Sequence, residues 1–307
     1  MQDRVEILLA CYNGEAYIRQ QLDSILAQDY TNWVVRACDD ASTDDTYAIL
    51  EEYGERFPEK FVLEKKENGS GSAKANFFYL LKQSTCAYVM CCDQDDVWLP
   101  NKISLSLELM KKTESDEVPV LVHSDLKVVD AELAVLSESF FAHSNLRKSF
   151  AYRDILIQNQ VTGCTMMMNR ALVNRMNLEE NEAPILMHDW LAALLATACG
   201  RVAFLEEPTI LYRQHAVNSV GAKKYGFGLL VSKLKNHSIR KSLEDTAKQA
   251  EEVAKTYQSV LPANLYRLTE SYGKIFEKNK LYRICFYVRY GVWKKGLPRK
   301  VWQLILG

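Results

Sequence analysis

Short apolar runs alternate with segments of helical period throughout the first half of this sequence, and that alternation leaves very few architectures open. Residues 5–10, 33–38, 61–63 and 88–92 are brief, apolar and rich in Val, Ile, Leu and aromatic side chains, as expected of buried strands. Between them, Ile18, Leu22, Ile25 and Leu26 share one helical face, and 44–57 and 72–83 have the same character. Strands and helices in strict alternation build a mostly parallel, doubly wound sheet covered on both faces. Residues 103–110 fit two patterns. Ile103, Leu105, Leu107 and Leu109 alternate like a strand, while Ile103, Leu107 and Met110 fit a helix; Pro100 and the segment's length favour the helix.

Further along the pattern loosens. A strand is expected at 120–123, a loop-rich stretch to about 160, an apolar run at 165–168, a helix from Asp189, and a strand-like run at 209–212. From 223 onward only helices are expected. The chain therefore divides into an α/β body, 1–222, and a helical extension, 223–307. Its 307 residues are enough for one large domain with such an appendage.

In an open parallel sheet, ligands bind beyond the carboxyl ends of the strands. Those ends are polar here: Cys11-Tyr12-Asn13-Gly14-Glu15 after the first, Asp39-Asp40-Ala41-Ser42-Thr43-Asp44 after the second, and Asn68-Gly69-Ser70-Gly71-Ser72-Ala73-Lys74 after the third. The fourth ends in Asp93-Gln94-Asp95-Asp96, three carboxylates and an amide directly behind an apolar run. Clustered acids repel one another, and a hard divalent cation bound to a phosphorylated substrate is the usual compensation; a solvated acidic turn is the plainer alternative. Asp39 or Asp40 can accept hydrogen bonds from a base or ribose, and Lys74 can reach a phosphate. Equally, Asp44 can cap a helix and the Gly-Ser loop can be a simple turn. The sequence has neither G-x-G-x-x-G at the first turn nor a P-loop, which excludes the commonest dinucleotide and NTPase classes.

These segments, in this order and spacing, resemble the family 2 glycosyltransferases of GT-A fold over roughly residues 1–220. Asp93-Gln94-Asp95-Asp96-Val97-Trp98, with Pro100 and Lys102 behind it, is most similar to bacterial polysaccharide rhamnosyltransferases. The resemblance implies an inverting transfer from a nucleotide sugar, with Tyr12, Asn13, Glu15, Asp39, Asp40, Lys74, Asp93 and Gln94 around the donor. It also implies Mg²⁺ or Mn²⁺ held by Asp95 and Asp93. Asp189, at the start of an apolar helix in Met187-His188-Asp189-Trp190, matches the position of the family's acidic base; His188 stands where a Glu is common. An ordinary first-turn Asp is the alternative. His215 corresponds to a third metal ligand or diphosphate contact in some GT-A enzymes, against a structural role. Gly163-Cys164-Thr165 resembles the loop beneath the acceptor site. Asp125 is either a sugar or acceptor contact or a turn residue, and Arg213 pairs either with a phosphate or with a structural acid.

Charge is unevenly placed. The extension holds 18 Lys plus Arg against 6 Asp plus Glu, and the rest of the chain 20 against 33. In its last part, cations interleave with Tyr, Phe and Trp, which suits an anionic membrane surface, a packed helix or a dimer contact. RNA is disfavoured by the acidic body. The eight cysteines form no C-x-x-C pair, and the start carries little positive charge and too short an apolar run for a secretory signal. Free thiols in the cytosol are expected, with the protein peripheral at the inner face of the cell membrane and a polyprenyl-linked saccharide as acceptor. The rival readings are a nucleotidyltransferase, disfavoured because Cys11-Tyr12-Asn13-Gly14 is no Arg-containing phosphate loop, and a non-catalytic scaffold on a degenerate GT-A fold.

Overall fold

The first four strands, β1 (Val5–Cys11), β2 (Trp33–Asp39), β3 (Phe61–Lys65) and β4 (Tyr88–Asp93), lie parallel in the order β4-β1-β2-β3. They are seen in a computed structural model that describes residues 3–115, 117–178, 184–215 and 238–307. Their register sets Cys11 beside Asp39, Ala10 beside Asp93, and Asp39 beside Lys65, so all four polar strand ends meet along one edge. The helices between them are α1 (Ile18–Leu26), α2 (Thr46–Arg56) and α3 (Ala73–Gln83), the last capped by the Ser72 side chain on the Ala75 amide. Behind β4 come a two-residue strand β5 (Val97–Trp98) and α4 (Lys102–Thr113). The ambiguous 103–110 segment is thus a helix, with Ile103, Leu107 and Met110 buried.

Successive residues of β1 explain why the strands are apolar throughout. Val5, Ile7, Leu9 and Cys11 pack with residues of α1, α2 and α4, whereas Leu8 packs with residues of α3 on the other face. Burial on both faces demands continuous rather than alternating hydrophobicity.

β6 (Val120–Ser124), β9 (Met166–Asn169) and β10 (Arg201–Leu205) complete a seven-stranded sheet, β10-β6-β9-β4-β1-β2-β3, in which β9 alone runs against its neighbours. The segment expected to be loop-rich contains β7 (Lys127–Val129), β8 (Val135–Ser137), α5 (Phe140–Ser144) and α6 (Tyr152–Ile155). With β11 (Ile210–Arg213), strands β7 and β8 join β5 in a small second sheet, β5-β11-β7-β8. Strands of two or three residues are too short to show a period of two. Next in the chain, α7 (Arg170–Arg175) and α8 (His188–Cys199) flank the 179–183 stretch.

The extension is helical where it is described: α9 (Ser238–Thr256), α10 (Ala263–Gly273), α11 (Lys280–Tyr290) and α12 (Leu297–Leu306). Residues 223–237, the start of the extension by sequence, lie outside the described residues. Leu243, Ala250, Val253, Tyr272 and Phe286 bury into the same apolar cluster as Phe77, Ile155 and Leu191. The Tyr257 hydroxyl donates to the Met176 carbonyl, and the Tyr152 and Thr269 hydroxyls share a hydrogen bond of 2.7 Å. All eight cysteines are free thiols. Among the described residues no helix is long and apolar enough to cross a membrane.

Candidate active site

The turns after β1 and β2 are stitched together by side chains. The Asn13 amide donates to Ser42 Oγ at 2.9 Å, and Asn13 Oδ1 accepts from the Thr43 amide at 2.8 Å. Asn13 itself adopts a left-handed backbone, φ 47°, which Asn tolerates better than most residues. Glu15 accepts from the Asp45 amide at 3.0 Å, and Asp44 accepts from the amides of Glu15 and Thr46. Asn13 and Glu15 therefore hold this wall in shape. Gln94 grips Tyr12 from the β4 side: its Oε1 accepts from the Tyr12 amide and its Nε2 donates to the Tyr12 carbonyl, both at 2.8 Å. The Tyr12 ring stays exposed.

Asp39 is fully buried and accepts from the Ser42 amide at 3.0 Å. The Asp40 carboxylate meets Lys66 Nζ at 3.0 Å, the Ser70 amide at 2.9 Å and the Ser70 hydroxyl at 2.7 Å. Burial raises the Asp40 pKa, but these partners outweigh it and hold the group below its ordinary value. The Gly-Ser loop lies against this strand end, where a Cβ on Gly69 would come within 2.9 Å of the Asp40 carbonyl oxygen. Lys74 donates to the Ile185 carbonyl at 2.8 Å, tying α3 to the approach to α8.

The acidic cluster is divided between solvent and core. Asp95 is partly exposed and its Oδ2 lies 2.8 Å from His215 Nε2. Asp96 is fully buried; one oxygen accepts from the Arg213 amide at 3.1 Å, and Oδ2 has no partner among the described residues. Burial pushes its pKa well up, and the charges of Asp95 and Asp93 push it further. Asp93 rises to about 7 through desolvation and the charges of Asp95 and Asp189. Asp93, Asp96 and the Cys164 thiol form a group whose potential ligand atoms lie within 4.8 Å of one another. Lys102 is buried beneath the cluster without a hydrogen-bond partner among the described residues, 4.6 Å from the centre of the Trp98 ring, and burial lowers its pKa to about 8.

Asp189 lies in the first turn of α8, near enough to the cluster for its charge to raise the Asp93 pKa. It is buried, its Oδ1 has no partner among the described residues, and desolvation lifts its pKa to about 7. The amides of Trp190 and Gly163 and the side chain of Asn159 offset part of that rise. His188 faces inward, stacked on Phe77 with ring centroids 4.1 Å apart, and burial drops its pKa to about 3, so it is neutral.

The expected residues Tyr12, Asp39, Asp40, Asp93, Gln94, Asp95 and His215 thus line one edge, and Asp189 lies close enough for its charge to act on Asp93. Two further residues support the site. Arg213 is a buried clamp: Nε donates to the Asp95 carbonyl at 2.9 Å, and its other nitrogens donate to Ala131 and Gln20. Asn159, beside Asp189, carried no sequence signal. Asp125 is the turn residue of the two options, since its carboxylate accepts from the amides of Leu126, Phe140 and Phe141 and from the Ser139 hydroxyl.

Several carboxylates around one unpartnered buried oxygen, with an imidazole at the rim, suit a hard divalent cation such as Mg²⁺ or Mn²⁺. Asp95, Asp93 and His215 are the expected ligands, while the unpartnered oxygen belongs to Asp96, which groups with Asp93 and Cys164.

The sequence profile of glycosyl transferase family 2 matches residues 6–175. The dTDP-rhamnosyl transferase RfbG of Shigella flexneri is 28% identical over 229 residues, 70% of this chain and 74% of that protein. Other curated relatives are spanned over 64% and 65% of their length. Among solved structures, TarS 1–349 of S. aureus in complex with UDP superposes with a TM-score of 0.57 at 16% identity, covering 91% of this chain and 73% of that one. The mannosyltransferase PcManGT of Pyrobaculum calidifontis, in complex with GDP-Man and Mn²⁺, gives a TM-score of 0.53 at 16% identity, covering 98% and 79%. At these identities the structural likeness shows the shared GT-A fold. With more than half of its length matched by the profile, the chain belongs to glycosyl transferase family 2.

Proposed function

We propose that this glycosyltransferase moves a sugar, with inversion, from a nucleoside diphosphate to a saccharide carried on a polyprenyl lipid at the cytoplasmic membrane face, in synthesis of a bacterial surface polysaccharide. The observation that supports the reading is a buried carboxylate, Asp189, near enough to the acidic cluster for its charge to raise the Asp93 pKa, in a site where Asp95 pairs with His215. Inversion needs a base on the side opposite the leaving group. A carboxylate with pKa near 7 is well matched to taking a hydroxyl proton at neutral pH, and one of its oxygens is free to do so. Asp39 and Asp40, at the end of β2, are the residues we assign to the base and ribose. Bound Mg²⁺ or Mn²⁺ would offset the charge that develops on the departing diphosphate.

L-Rhamnose from dTDP-rhamnose is the leading donor, supported by the Asp93–Trp98 motif and the RfbG relative. A UDP-hexose or UDP-N-acetylhexosamine is the second reading, favoured by the UDP complex of TarS. A thermal-shift series with Mn²⁺ and dTDP-rhamnose, UDP-glucose, UDP-galactose, UDP-N-acetylglucosamine and GDP-mannose separates them. A ligand that binds only the folded state raises its melting temperature by mass action. A metal-dependent rise with dTDP-rhamnose supports the leading donor, and a rise with a UDP-sugar alone replaces it. No rise with any donor on folded protein tells against sugar-nucleotide transfer.

A further inference from the structure

Two helices at the end of the chain turn apolar stripes toward solvent. On α11, Leu281, Cys285 and Val288 fall at i, i+4 and i+7, and Leu281 and Val288 are 72% and 67% exposed. On α12, Leu297, Val301 and Ile305 fall at i, i+4 and i+8, with exposures of 76%, 44% and 47%. The opposite faces are the ones that pack inward, through Phe286, Tyr287 and Gln303. Lys280 Nζ donates to the Ile305 carbonyl at 3.1 Å, which brings the start of α11 to the end of α12. A soluble protein rarely exposes this much aliphatic surface on adjacent helices without a use for it.

Charge says what covers it. Residues 278–307 contain eight Lys and Arg and no Asp or Glu, although the body of the chain is acidic. Apolar stripes on a segment whose own charges are all cationic match an anionic bilayer, in which aliphatic side chains enter the interface while Lys and Arg remain at the headgroups. A second copy of this chain would bring the same cations face to face.

The connection between the two helices also reaches the catalytic side. The Lys295 amide donates to Gln158 Oε1 at 2.8 Å and its Nζ to the Leu146 carbonyl at 2.6 Å. Gln158 is next in sequence to Asn159, whose side chain bonds to Asp189. We propose that α11 and α12 form the surface by which this enzyme docks on an anionic membrane, setting the base Asp189 within reach of a lipid-borne acceptor. The inference rests on the transfer reading above for its purpose, and on the two stripes for its substance.

Co-sedimentation of the full chain with vesicles tests it, using equal parts phosphatidylglycerol and phosphatidylcholine against phosphatidylcholine alone. Binding is expected to the anionic vesicles only and to weaken as salt is added. The exposed triple variant L281S/V288S/L297S is expected to lose about tenfold or more in affinity. Lys278→Gln and Arg289→Gln are each expected to lose about fivefold. Absence of binding at low salt, or equal binding by parent and triple variant, would overturn the proposal. So would a dimer in solution that the triple variant returns to monomer. Turnover on a soluble saccharide acceptor, measured in parallel, keeps the two readings apart. Turnover without vesicle binding removes the docking surface and leaves the reaction; vesicle binding without turnover does the reverse.

Discussion

His215 Nε2 and Asp95 Oδ2 lie 2.8 Å apart although 120 residues separate them in the chain. The pairing follows from how β11 is tied to the acidic cluster. The Arg213 amide donates to Asp96 and its guanidinium to the Asp95 carbonyl, so the residue two places on arrives at the Asp95 carboxylate. The Tyr17 ring, 4.8 Å from the imidazole, backs it. A carboxylate and an imidazole already in contact are a prepared pair of ligands for a divalent ion. Asp95→Asn and His215→Ala are therefore expected to abolish or strongly reduce the Mn²⁺-dependent rise in melting temperature with the cognate donor. That rise should be about 5 °C or more in the parent protein at about 100 times Kd. Full metal-dependent stabilisation in either variant would remove that residue from the ligand set.

Asp189→Asn should separate binding from chemistry. The amide keeps the shape of the side chain but cannot accept the acceptor's proton, so donor affinity should persist while kcat falls by about 10²–10⁴. With the carboxyl held at about 7, kcat/KM of the parent enzyme should rise with pH through that region as the base ionises, then level. A variant with near-parental turnover, or a parent rate flat from pH 5.5 to 8 (about one unit or more either side of the base), would take the role away from Asp189.

Arg213 should act on stability before activity. Its guanidinium is fully enclosed, donating to Asp95, Ala131 and Gln20 and stacked 4.6 Å from the centre of the Tyr17 ring. Arg213→Met leaves those acceptors without donors in a closed interior, with an expected loss of about 3 kcal/mol. Arg213→Lys should recover only part of it, since one ammonium cannot span three separated acceptors. Denaturant midpoints of the two variants measure the difference.

The sheet and its ligand-binding edge were legible because parallel strands buried on both faces read as unbroken apolar runs, and because polar residues at their ends stand out. Tyr88 to Cys92 followed at once by Asp93 needs no structure to interpret. The second sheet was not legible: β5, β7 and β8 have two or three residues each, and β8 is mostly exposed. β10 was missed for a related reason, as an edge strand that is nowhere buried along its length. Nor could the positioning of Asp95 by Arg213, or of Asp189 by Asn159, be read from sequence, because both join segments that only the fold brings together. Asp125 shows the converse: a lone acid at a strand end is as readily used up by the next turn's amides.

His123 predicts a pH dependence of folding that is independent of catalysis. It is fully buried among Phe141, Phe150 and Phe204, neither ring nitrogen has a partner among the described residues, and burial lowers its pKa from 6.5 to about 3. The folded state thus refuses a proton that the unfolded chain accepts. The stability this confers is complete above pH 6.5 and is lost as pH falls toward 3. The slope approaches about 1.4 kcal/mol per pH unit. His123→Leu, apolar and able to fill the aromatic box, should flatten the fall of melting temperature between pH 6.5 and 4.5 (about two units below the unfolded pKa). An unchanged slope would mean that other groups carry the acid sensitivity.

Gly163→Ala tests whether the loop under α8 holds the base in place. A Cβ there would come within 2.8 Å of His188 Nε2 and 3.7 Å of the Asp189 Cβ. The imidazole cannot easily retreat, because it is stacked against Phe77 behind it. The strain should therefore pass into the first turn of α8 and move Asp189, whose carboxylate depends on the Gly163 amide. Displacement of a base by a fraction of an ångström is expected to cost about tenfold to a hundredfold in kcat, with donor affinity preserved. The companion variant H188A/G163A removes the obstructing ring. Recovery of turnover in that double variant would show that Gly163 acts through His188 on the position of Asp189, whereas equal loss in both would place the effect in the loop itself.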